Sequence, residues 1–496
     1  MTKPRFLFSG WFLIALLLNG CSQGEPEGIR LGLSAAPVTL DPRYATDAAS
    51  YRITRLIYRS LVDFDSAFRP IPALAEWEAI SPVQYRFRLG AQGREFHDGT
   101  RLTSRDVKAT YESVLQAKNA SPHRGSLAMI RRIETLGDKT VDFFLDKPDP
   151  LFPGRLVIGI LPQHLIAEGH AFNKAPVGSG PMRFIEWARS GRLYLQRRID
   201  GASIQFITVP DPTVRVLKLL RNEIDLFQGD LPHEMVGWLQ KRAEVQVTKG
   251  RGSTFTYLGF NMADPVVGRR EFRQAVAYAL DRDAIIKYVM GGAAHKASAM
   301  LPPGHWAGSP DLRAYEYDPK KAGRLLHQGD HSESQSLRVT YKTSNNPFRV
   351  RLATVVQYQL RQVGIDLDVR SYDWGTFYGD IKAGRFQMYS LSWVGLKMPD
   401  IFRYAFHSSS LPPEGANRGR FIDRRADQLI ERAEAAADLE RQAALYRELQ
   451  AYLLEELPYV PLWYEDNVLI RRQDITGYTL ATDGDYDGLI TTKRIQ

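Results

Sequence analysis

The chain has 496 residues, of which 44% are apolar and 11% aromatic, and it carries a formal net charge of +9 and a single cysteine. One cysteine excludes a disulfide framework and thiolate metal sites, so stability has to come from a hydrophobic core, and the length favours two or three domains. Acidic residues interrupt the arginine clusters at 268–273 and 418–425, which favours solvated faces over a nucleic-acid-binding surface.

The N-terminus has the three parts of a secretory signal. Lys3 and Arg5 supply the positive region, residues 11–18 the apolar region, and Gly20 the small residue before Cys21. This order is typical of a bacterial lipoprotein signal over residues 1–21, in which Cys21 takes the lipid; an ordinary signal with an incidental cysteine is the alternative. The apolar region is too short to span a bilayer, which takes about twenty residues. We therefore expect lipid alone to hold the mature chain to a membrane.

In the first part of the chain, short strands alternate with helices. The patterns predict a strand at 29–34, a helix with one buried stripe at 51–62, and a half-buried strand at 85–89. Thr103 and Asp106 have the spacing of a capping box, which predicts that the next helix begins there.

The same mixture continues to the C-terminus without an internal repeat and predicts an α/β fold. The predicted elements are a glycine-rich turn at 177–181, strands at 204–209, 255–262, 365–369 and 462–470, and helices at 212–221, 273–280, 283–290, 350–363 and between 426 and 456.

No sequence motif indicates catalysis. Gly178-Ser179-Gly180 lacks the Gly-x-Ser-x-Gly spacing of a nucleophile elbow and is predicted to be a structural turn. Both nucleotide-binding glycine patterns and the His-Glu-x-x-His zinc pattern are absent from the sequence. We predict no catalytic residue, no metal, no cofactor and no enzyme activity, although the 56 acidic residues leave a catalytic carboxylate pair open.

Residues 483–488 have the spacing of the first half of a calcium loop, Asp-x-Asp-x-Asp-Gly. The twelfth position of such a loop holds a bidentate glutamate, whereas this chain has Arg494 there. A cation in place of a ligand favours an acidic surface turn over a calcium site.

Two tryptophans, Trp374 and Trp393, follow predicted strands. Large flat aromatic faces at strand ends can line a ligand cleft, and they can equally be part of a core. The pattern alone does not favour either interpretation.

A series of short segments runs through nearly the whole mature chain. They are Thr39-Leu40-Asp41-Pro42, Phe96-His97-Asp98-Gly99 within 85–107, 176–181, 222–225, Phe260-Asn261, 273–282, Tyr317-Asp318-Pro319 and 458–462. Each segment is unspecific alone, but their order and spacing resemble the family 5 solute-binding proteins of ABC importers, which include dipeptide-, oligopeptide- and nickel-binding members.

The resemblance implies a two-lobed α/β periplasmic-binding-protein fold of type II, cluster C, with an additional domain. Two hinge strands would cross between the lobes, one near Phe260-Asn261 and one near Trp463-Tyr464. The implied boundaries are 22–48, 171–260 and 467–496 for lobe I, 49–170 for the additional domain, and 261–466 for lobe II.

The resemblance also implies a role in transport. The lobes would close on a peptide or peptide-like ligand, and the closed monomer would deliver it to an ABC permease in the inner membrane. The implied location is the periplasm. Ser22 follows the lipidated cysteine where an aspartate would favour retention in the inner membrane, so the outer membrane is favoured.

Five site residues follow from the resemblance. Trp374 and Trp393 resemble the tryptophans that line side-chain pockets in peptide-binding members. Leu396 stands where those members have an aspartate for the ligand ammonium. Thr343 and Asn345 stand where dipeptide binders have an arginine and a tyrosine for the ligand carboxylate.

Since a ligand ammonium facing leucine in a closed cleft would lose its charge partner, we expect a ligand other than a free dipeptide. A longer, blocked or modified peptide and a non-peptidic solute stay open, with Lys397 or Asp400 as neighbouring charges that could take over. The alternatives are an exported lipoprotein hydrolase and a family member that binds a nickel chelate or haem.

Overall fold

The computed structural model describes residues 28–229, 231–327, 337–413, 415–436 and 438–495. The predicted signal with Cys21 lies outside them. The strands are β1 (Ile29–Leu33), β2 (Val62–Phe64), β3 (Pro70–Pro72), β4 (Ala75–Ser81), β5 (Gln84–Leu89), β6 (Ile130–Leu136), β7 (Thr140–Leu145), β8 (Met182–Trp187), β9 (Leu193–Arg197), β10 (Ser203–Thr208), β11 (Leu226–Gln228), β12 (Val245–Phe260), β13 (Ala294–Lys296), β14 (Leu337–Ser344), β15 (Ile365–Tyr372), β16 (Met388–Trp393), β17 (Tyr459–Arg472), β18 (Ile475–Thr476) and β19 (Lys493–Arg494).

The helices are α1 (Ala48–Ile57), α2 (Ser104–Leu115), α3 (Gln163–Ala167), α4 (Pro212–Leu220), α5 (His233–Leu239), α6 (Arg270–Ala279), α7 (Arg282–Ala284), α8 (Pro319–His327), α9 (Pro347–Arg361), α10 (Trp374–Ala383), α11 (Ile401–Phe406), α12 (Arg424–Glu434) and α13 (Leu439–Glu456). Among the described residues, none of these helices combines the length and the apolar character that a bilayer crossing requires.

One sheet of eleven strands joins most of the chain, in the order β15-β14-β16-β12-β17-β11-β1-β10-β9-β8, with β13 added on β17. At one end β14 pairs in parallel with β15, and at the other β1 pairs in parallel with β10. The long antiparallel strands β12 and β17 lie between these two parts and pair with each other over most of their length. They are the two connections that the two-lobed interpretation requires.

The strand pairing of β12 changes near its middle. Its pairing with β17 is interrupted between Gly250 and Thr254, before the stretch that pairs with β16. A Cβ atom on Gly252 would lie 2.1 Å from the carbonyl oxygen of Glu465, so the two backbones approach closely here. The crossing expected near Phe260-Asn261 stays a prediction; Phe260 is fully buried and pairs with Met388 at the C-terminal end of the strand.

A second sheet, β4-β5-β7-β6, has a hydrophobic core of its own. Tyr85, Phe87 and Leu89 of β5 point into that core, as the alternation of the sequence predicts. Helix α2 covers it and begins at the predicted capping box of Thr103 and Asp106. This unit lies within the segment expected for the additional domain.

The exact domain boundaries stay a prediction, and helix α1 bears on them. Its buried side, with Ile53, Leu56 and Ile57, packs into the cluster formed by β1, β9 and β10. Residues 49–57 therefore share a core with the first strand of the chain, although the sequence placed them at the start of the additional domain.

The turn at Gly178-Ser179-Gly180 packs directly on the C-terminal end of α1. Ser179 is fully buried. Cβ atoms on Gly178 and Gly180 would lie 2.1 Å from the carbonyl oxygen of Ile57 and 2.4 Å from that of Leu56. The turn is therefore structural, as its sequence predicts.

We expect Gly180→Ala to lower the free energy of unfolding by about 2–3 kcal/mol, because the added methyl group meets backbone that cannot move alone. Urea unfolding followed by circular dichroism measures the change. Gly323→Ala in α8 is the matched control, because a Cβ atom there meets nothing within 4 Å. Equal midpoints for the two variants would contradict the steric explanation.

Candidate ligand-binding cleft

A cavity of about 530 Å³ lies where helix α1, the loop after β16 and the C-terminal segment 483–487 meet. Its two walls adjoin different hydrophobic cores: the lining residue Leu396 packs with Phe402 in one, and the lining residue Asp485 directly precedes Tyr486, which packs with Leu489 in the other. The lining residues are Thr46, Ala48, Tyr51, Arg52, Phe64, Gly154, Val157, 394–398, Asp400, Ile401, Asp483 and Asp485. This position, between two hydrophobic cores, makes the cavity the candidate ligand-binding cleft.

A second cavity of about 390 Å³ adjoins the first and shares Tyr51, Gly154, Val157, Met398 and Asp400 with it. It extends between α1 and the 3₁₀ turn at Phe152–Arg155. A ligand that extends from one cavity into the other has more room than either cavity gives alone.

The two predicted tryptophans lie outside the linings of both cavities. Trp374 is the first residue of α10 and 58% exposed, and its ring stacks on Tyr378 at 5.3 Å. Trp393 ends β16 directly before the cavity-lining loop, with the Arg418 guanidinium 4.8 Å from its ring centroid. Their role in ligand binding stays a prediction.

Leu396 lines the larger cavity, and it is only 6% exposed. Its side chain belongs to the apolar cluster with Phe402 and Phe406. The position at which the resemblance places an ammonium anchor is therefore an apolar part of the cleft wall.

Thr343 and Asn345 are not brought to either cavity lining. Thr343 is buried within β14 opposite Ser371. Asn345 is exposed, and its backbone N–H donates to the carbonyl oxygen of Tyr372 at 2.7 Å. Neither residue supplies a charge for a ligand carboxylate.

Lys397 carries the cationic group at the centre of the cleft. Its Nζ lies 2.6 Å from Oδ2 of Asp483 and 3.0 Å from Oδ2 of Asp485, and it donates to the hydroxyl of Tyr51 at 3.1 Å. Burial alone would lower the pKa of Lys397, but Tyr51 and the two carboxylates outweigh it and raise that pKa above its ordinary value. The ammonium is therefore charged and its donors are satisfied.

The Asp483–Asp487 segment is a buried ionic contact and not an acidic surface turn, which corrects the sequence-based interpretation. Asp485 is 2% exposed and lies between Lys397 and Arg55. Burial raises the pKa of Asp485 even against both cations, whereas Lys397 lowers that of Asp483. Within the described residues no group of three potential metal ligands is present, and Arg494 binds Asp225 at 2.8 Å instead.

Most cations around the cleft already have carboxylate partners. Arg55 contacts Asp63, Asp485 and Asp487 at 2.9–3.0 Å, and Arg155 contacts Asp149 and Asp400 at 2.7 Å. Asp400 lines both cavities, but one of its oxygens is held by Arg155.

Arg52 differs from these cations. It lines the larger cavity from α1, and its guanidinium lies 5.4 Å from the ring centroid of Tyr486. Within the described part of the chain, no carboxylate lies within ion-pairing distance of it. No sequence signal pointed to Arg52, because a single arginine in an amphipathic helix is usually solvated.

The arrangement can enclose a solute and orient it by charge. Comparisons with known proteins agree with a solute-binding role. The model of the family described as "bacterial extracellular solute-binding proteins, family 5 middle" matches residues 69–411. The oligopeptide-binding protein AppA of Bacillus subtilis is 26% identical over 522 aligned positions, covering 95% of each chain. The probable di/tripeptide-binding protein 5 of Pseudomonas aeruginosa is 27% identical over 514 positions, also covering 95% of each chain.

Among solved structures, the ABC transporter-associated periplasmic binding protein DppA of Helicobacter pylori, in complex with the peptide STSA, superposes with a TM-score of 0.76. It is 26% identical and covers 94% of this chain and 98% of its own. The predicted two-lobed type II fold is thereby confirmed. The family match spans more than half of the sequence, and the chain belongs to family 5 of the bacterial extracellular solute-binding proteins.

Proposed function

We propose that the protein captures a peptide or peptide-like solute by closure of its two lobes and delivers it unchanged to an ABC permease. The carrying observation is the cavity of about 530 Å³, whose walls adjoin two separate hydrophobic cores. A ligand that contacts both walls favours the closed form, because it binds that form more tightly than the open one. The peptide-binding names of the relatives support the ligand class.

Free dipeptides are not the preferred ligands in this proposal. Leu396 offers no carboxylate to an α-ammonium, and Thr343 and Asn345 offer no cation to an α-carboxylate. A dipeptide would bury both charges without the partners that offset their desolvation. Longer or blocked peptides can rely on backbone hydrogen bonds and side-chain burial.

Calorimetry with free di-, tri- and pentapeptides and their N-acetylated forms tests the ligand class. We expect the blocked or longer peptides to bind at least tenfold more tightly than free dipeptides, about 1.4 kcal/mol. Solution scattering should show compaction on binding, and mass spectrometry should recover the peptide intact. Nanomolar affinity for free dipeptides, or a chemically altered peptide, would contradict the proposal.

The proposal places the protein in the periplasm, as a monomer attached by lipid on Cys21 to the outer membrane. The order of Lys3, Arg5, the apolar residues 11–18 and Gly20 supports lipid attachment, and Ser22 supports the outer membrane.

We expect Cys21→Ser to move the protein from the membrane fraction to the soluble fraction, because each buried lipid CH₂ contributes about 0.8 kcal/mol to anchoring. Labelling with a radioactive fatty acid and sucrose-gradient fractionation measure the change. A labelled Cys21→Ser variant would show that another residue carries the lipid.

A further inference from the structure

We propose that Lys397 is a built-in substitute for a ligand ammonium: it holds Asp483 and Asp485 across the cleft and selects for solutes that bring no ammonium to that place. This inference rests on the proposed binding function and names its ligand class more closely. The class is a peptide-like acid whose amine is blocked or absent.

The first step is where the contact lies. Lys397 follows Leu396, which is anchored in one core, whereas Asp485 precedes Tyr486, which is anchored in the other. The residues that meet are 88 positions apart in the sequence. Any opening of the cleft that separates the two cores has to break this contact.

The second step is burial. The side chain of Lys397 is 11% exposed, and those of Asp483 and Asp485 are 15% and 3% exposed. Two neighbouring carboxylates removed from water repel each other and lose hydration, and only a cation between them offsets that loss. In this structure Lys397 is the cation that binds both.

The third step concerns selectivity. Lys397 is tethered beside its partners, so its effective concentration exceeds that of a free ligand in solution. A solute ammonium directed at the same carboxylates would have to displace it or lie beside a second positive charge. A like charge near the binding position lowers the affinity of competing ligands, and this raises specificity in the same way as added contacts to the preferred ligand do.

The fourth step concerns a cation on the cavity wall that has no carboxylate partner among the described residues. Arg52 lines the same cavity, and among the described residues its guanidinium has no carboxylate partner. A guanidinium is well suited to a planar carboxylate, which it binds through two parallel hydrogen bonds. The ligand end that the cleft recognises by charge is therefore an anion.

Solution scattering on solute-free protein tests the contact without any ligand. We expect wild type to be compact and Lys397→Met to have a larger radius of gyration, since Asp483 loses its cation, Asp485 keeps only Arg55, and hydration of the exposed carboxylates favours the open form. Ethylammonium chloride should return Lys397→Met to the wild-type profile, whereas sodium chloride at equal ionic strength should not. Lys241→Met, at an exposed position, is the control, and circular dichroism verifies that all variants are folded.

Calorimetry then tests selectivity with Ala-Ala-Ala and N-acetyl-Ala-Ala-Ala. Lys397→Met should gain at least tenfold in affinity for the free peptide relative to wild type, and Arg52→Gln should lose at least tenfold for the acetylated one. An unchanged scattering profile, or rescue by sodium as good as by ethylammonium, overturns the contact. Unchanged peptide preference in Lys397→Met overturns the selectivity. If no peptide binds any variant while ethylammonium rescue holds, the peptide ligand fails and the contact stands.

Discussion

Replacing Asp225 with alanine is expected to lower the free energy of unfolding by about 3–5 kcal/mol, the cost of removing one partner from a buried ionic contact. Asp225 is fully buried where α4 leads into β11. It accepts from the backbone and guanidinium of Arg30 at 2.8–3.0 Å and lies 2.8 Å from the guanidinium of Arg494. The carboxylate therefore ties the first described strand to the last.

The pKa of Asp225 agrees with the direction of this effect. Burial alone would raise it, but hydrogen bonds from Arg30 and Arg494 lower it below its ordinary value. The folded chain then binds fewer protons than the unfolded chain as pH falls through the range of a free aspartate. The stabilisation is complete above that range and is lost on further acidification.

Urea unfolding at pH 7, followed by circular dichroism, measures the loss. The control is Asp138→Ala, which removes an exposed partner of Arg105 and should change stability by less than about 1 kcal/mol. Asp225→Asn should fall between the two, because the amide keeps the shape but not the charge. A change below about 1 kcal/mol for Asp225→Ala would show that the arginines find other partners.

The sequence predicted those parts of the fold that depend on local signals. The capping box at Thr103 marks the start of α2, and the alternation of β5 identifies its buried face. It missed the first half of β12, because residues 245–252 are rich in charge and glycine and only their pairing with β17 makes them a strand. For the same reason the sequence does not show where along β12 the neighbouring strand changes.

The candidate site was predicted in one part and missed in another. The family resemblance pointed to Leu396, three positions after Trp393, and Leu396 lines the larger cavity. The segment at Asp483 was interpreted as a surface turn, because its acidic composition is typical of solvated loops and the cation that covers it comes from a distant loop. Lys397 was identified from the sequence as a neighbouring charge, but contacts between charges far apart in the chain have no local signal, so the carboxylate partners of Lys397 and the role of Arg52 needed the structure.

His305 gives the second large expected effect, a loss of stability on acidification. Its ring is 3% exposed, its Nε2 lies 3.1 Å from the carbonyl oxygen of Lys397, and its Nδ1 accepts from the backbone of Ala307 at 3.0 Å. Burial lowers the pKa of His305 to about 4, against the opposing hydrogen bond to Lys397. Nε2 then carries the proton, and the neutral ring positions the loop that bears the cleft cation.

Between pH 6.5 and 4 the unfolded chain binds a proton at this position that the folded chain does not. The stabilisation is therefore complete above the unfolded pKa of about 6.5 and is lost as pH falls towards the folded value, by roughly 3 kcal/mol in all. His305→Gln lacks this titration. We expect its stability deficit relative to wild type to shrink by about 2–3 kcal/mol between pH 7 and pH 4.5.

Comparing wild type with His305→Gln separates the contribution of His305 from those of the other groups that titrate between pH 7 and pH 4.5. The pKa of His97 is lowered by burial and acts in the same direction, whereas the raised pKa of Asp485 acts in the opposite one. Both are present in wild type and variant, so their contributions cancel in the difference. Urea unfolding across the pH range, with carbon-13 NMR of labelled histidine rings, measures both quantities. A constant deficit with a His305 resonance that titrates near pH 6.5 would show that water reaches the ring and that the loop bearing Lys397 opens more easily than its packing implies.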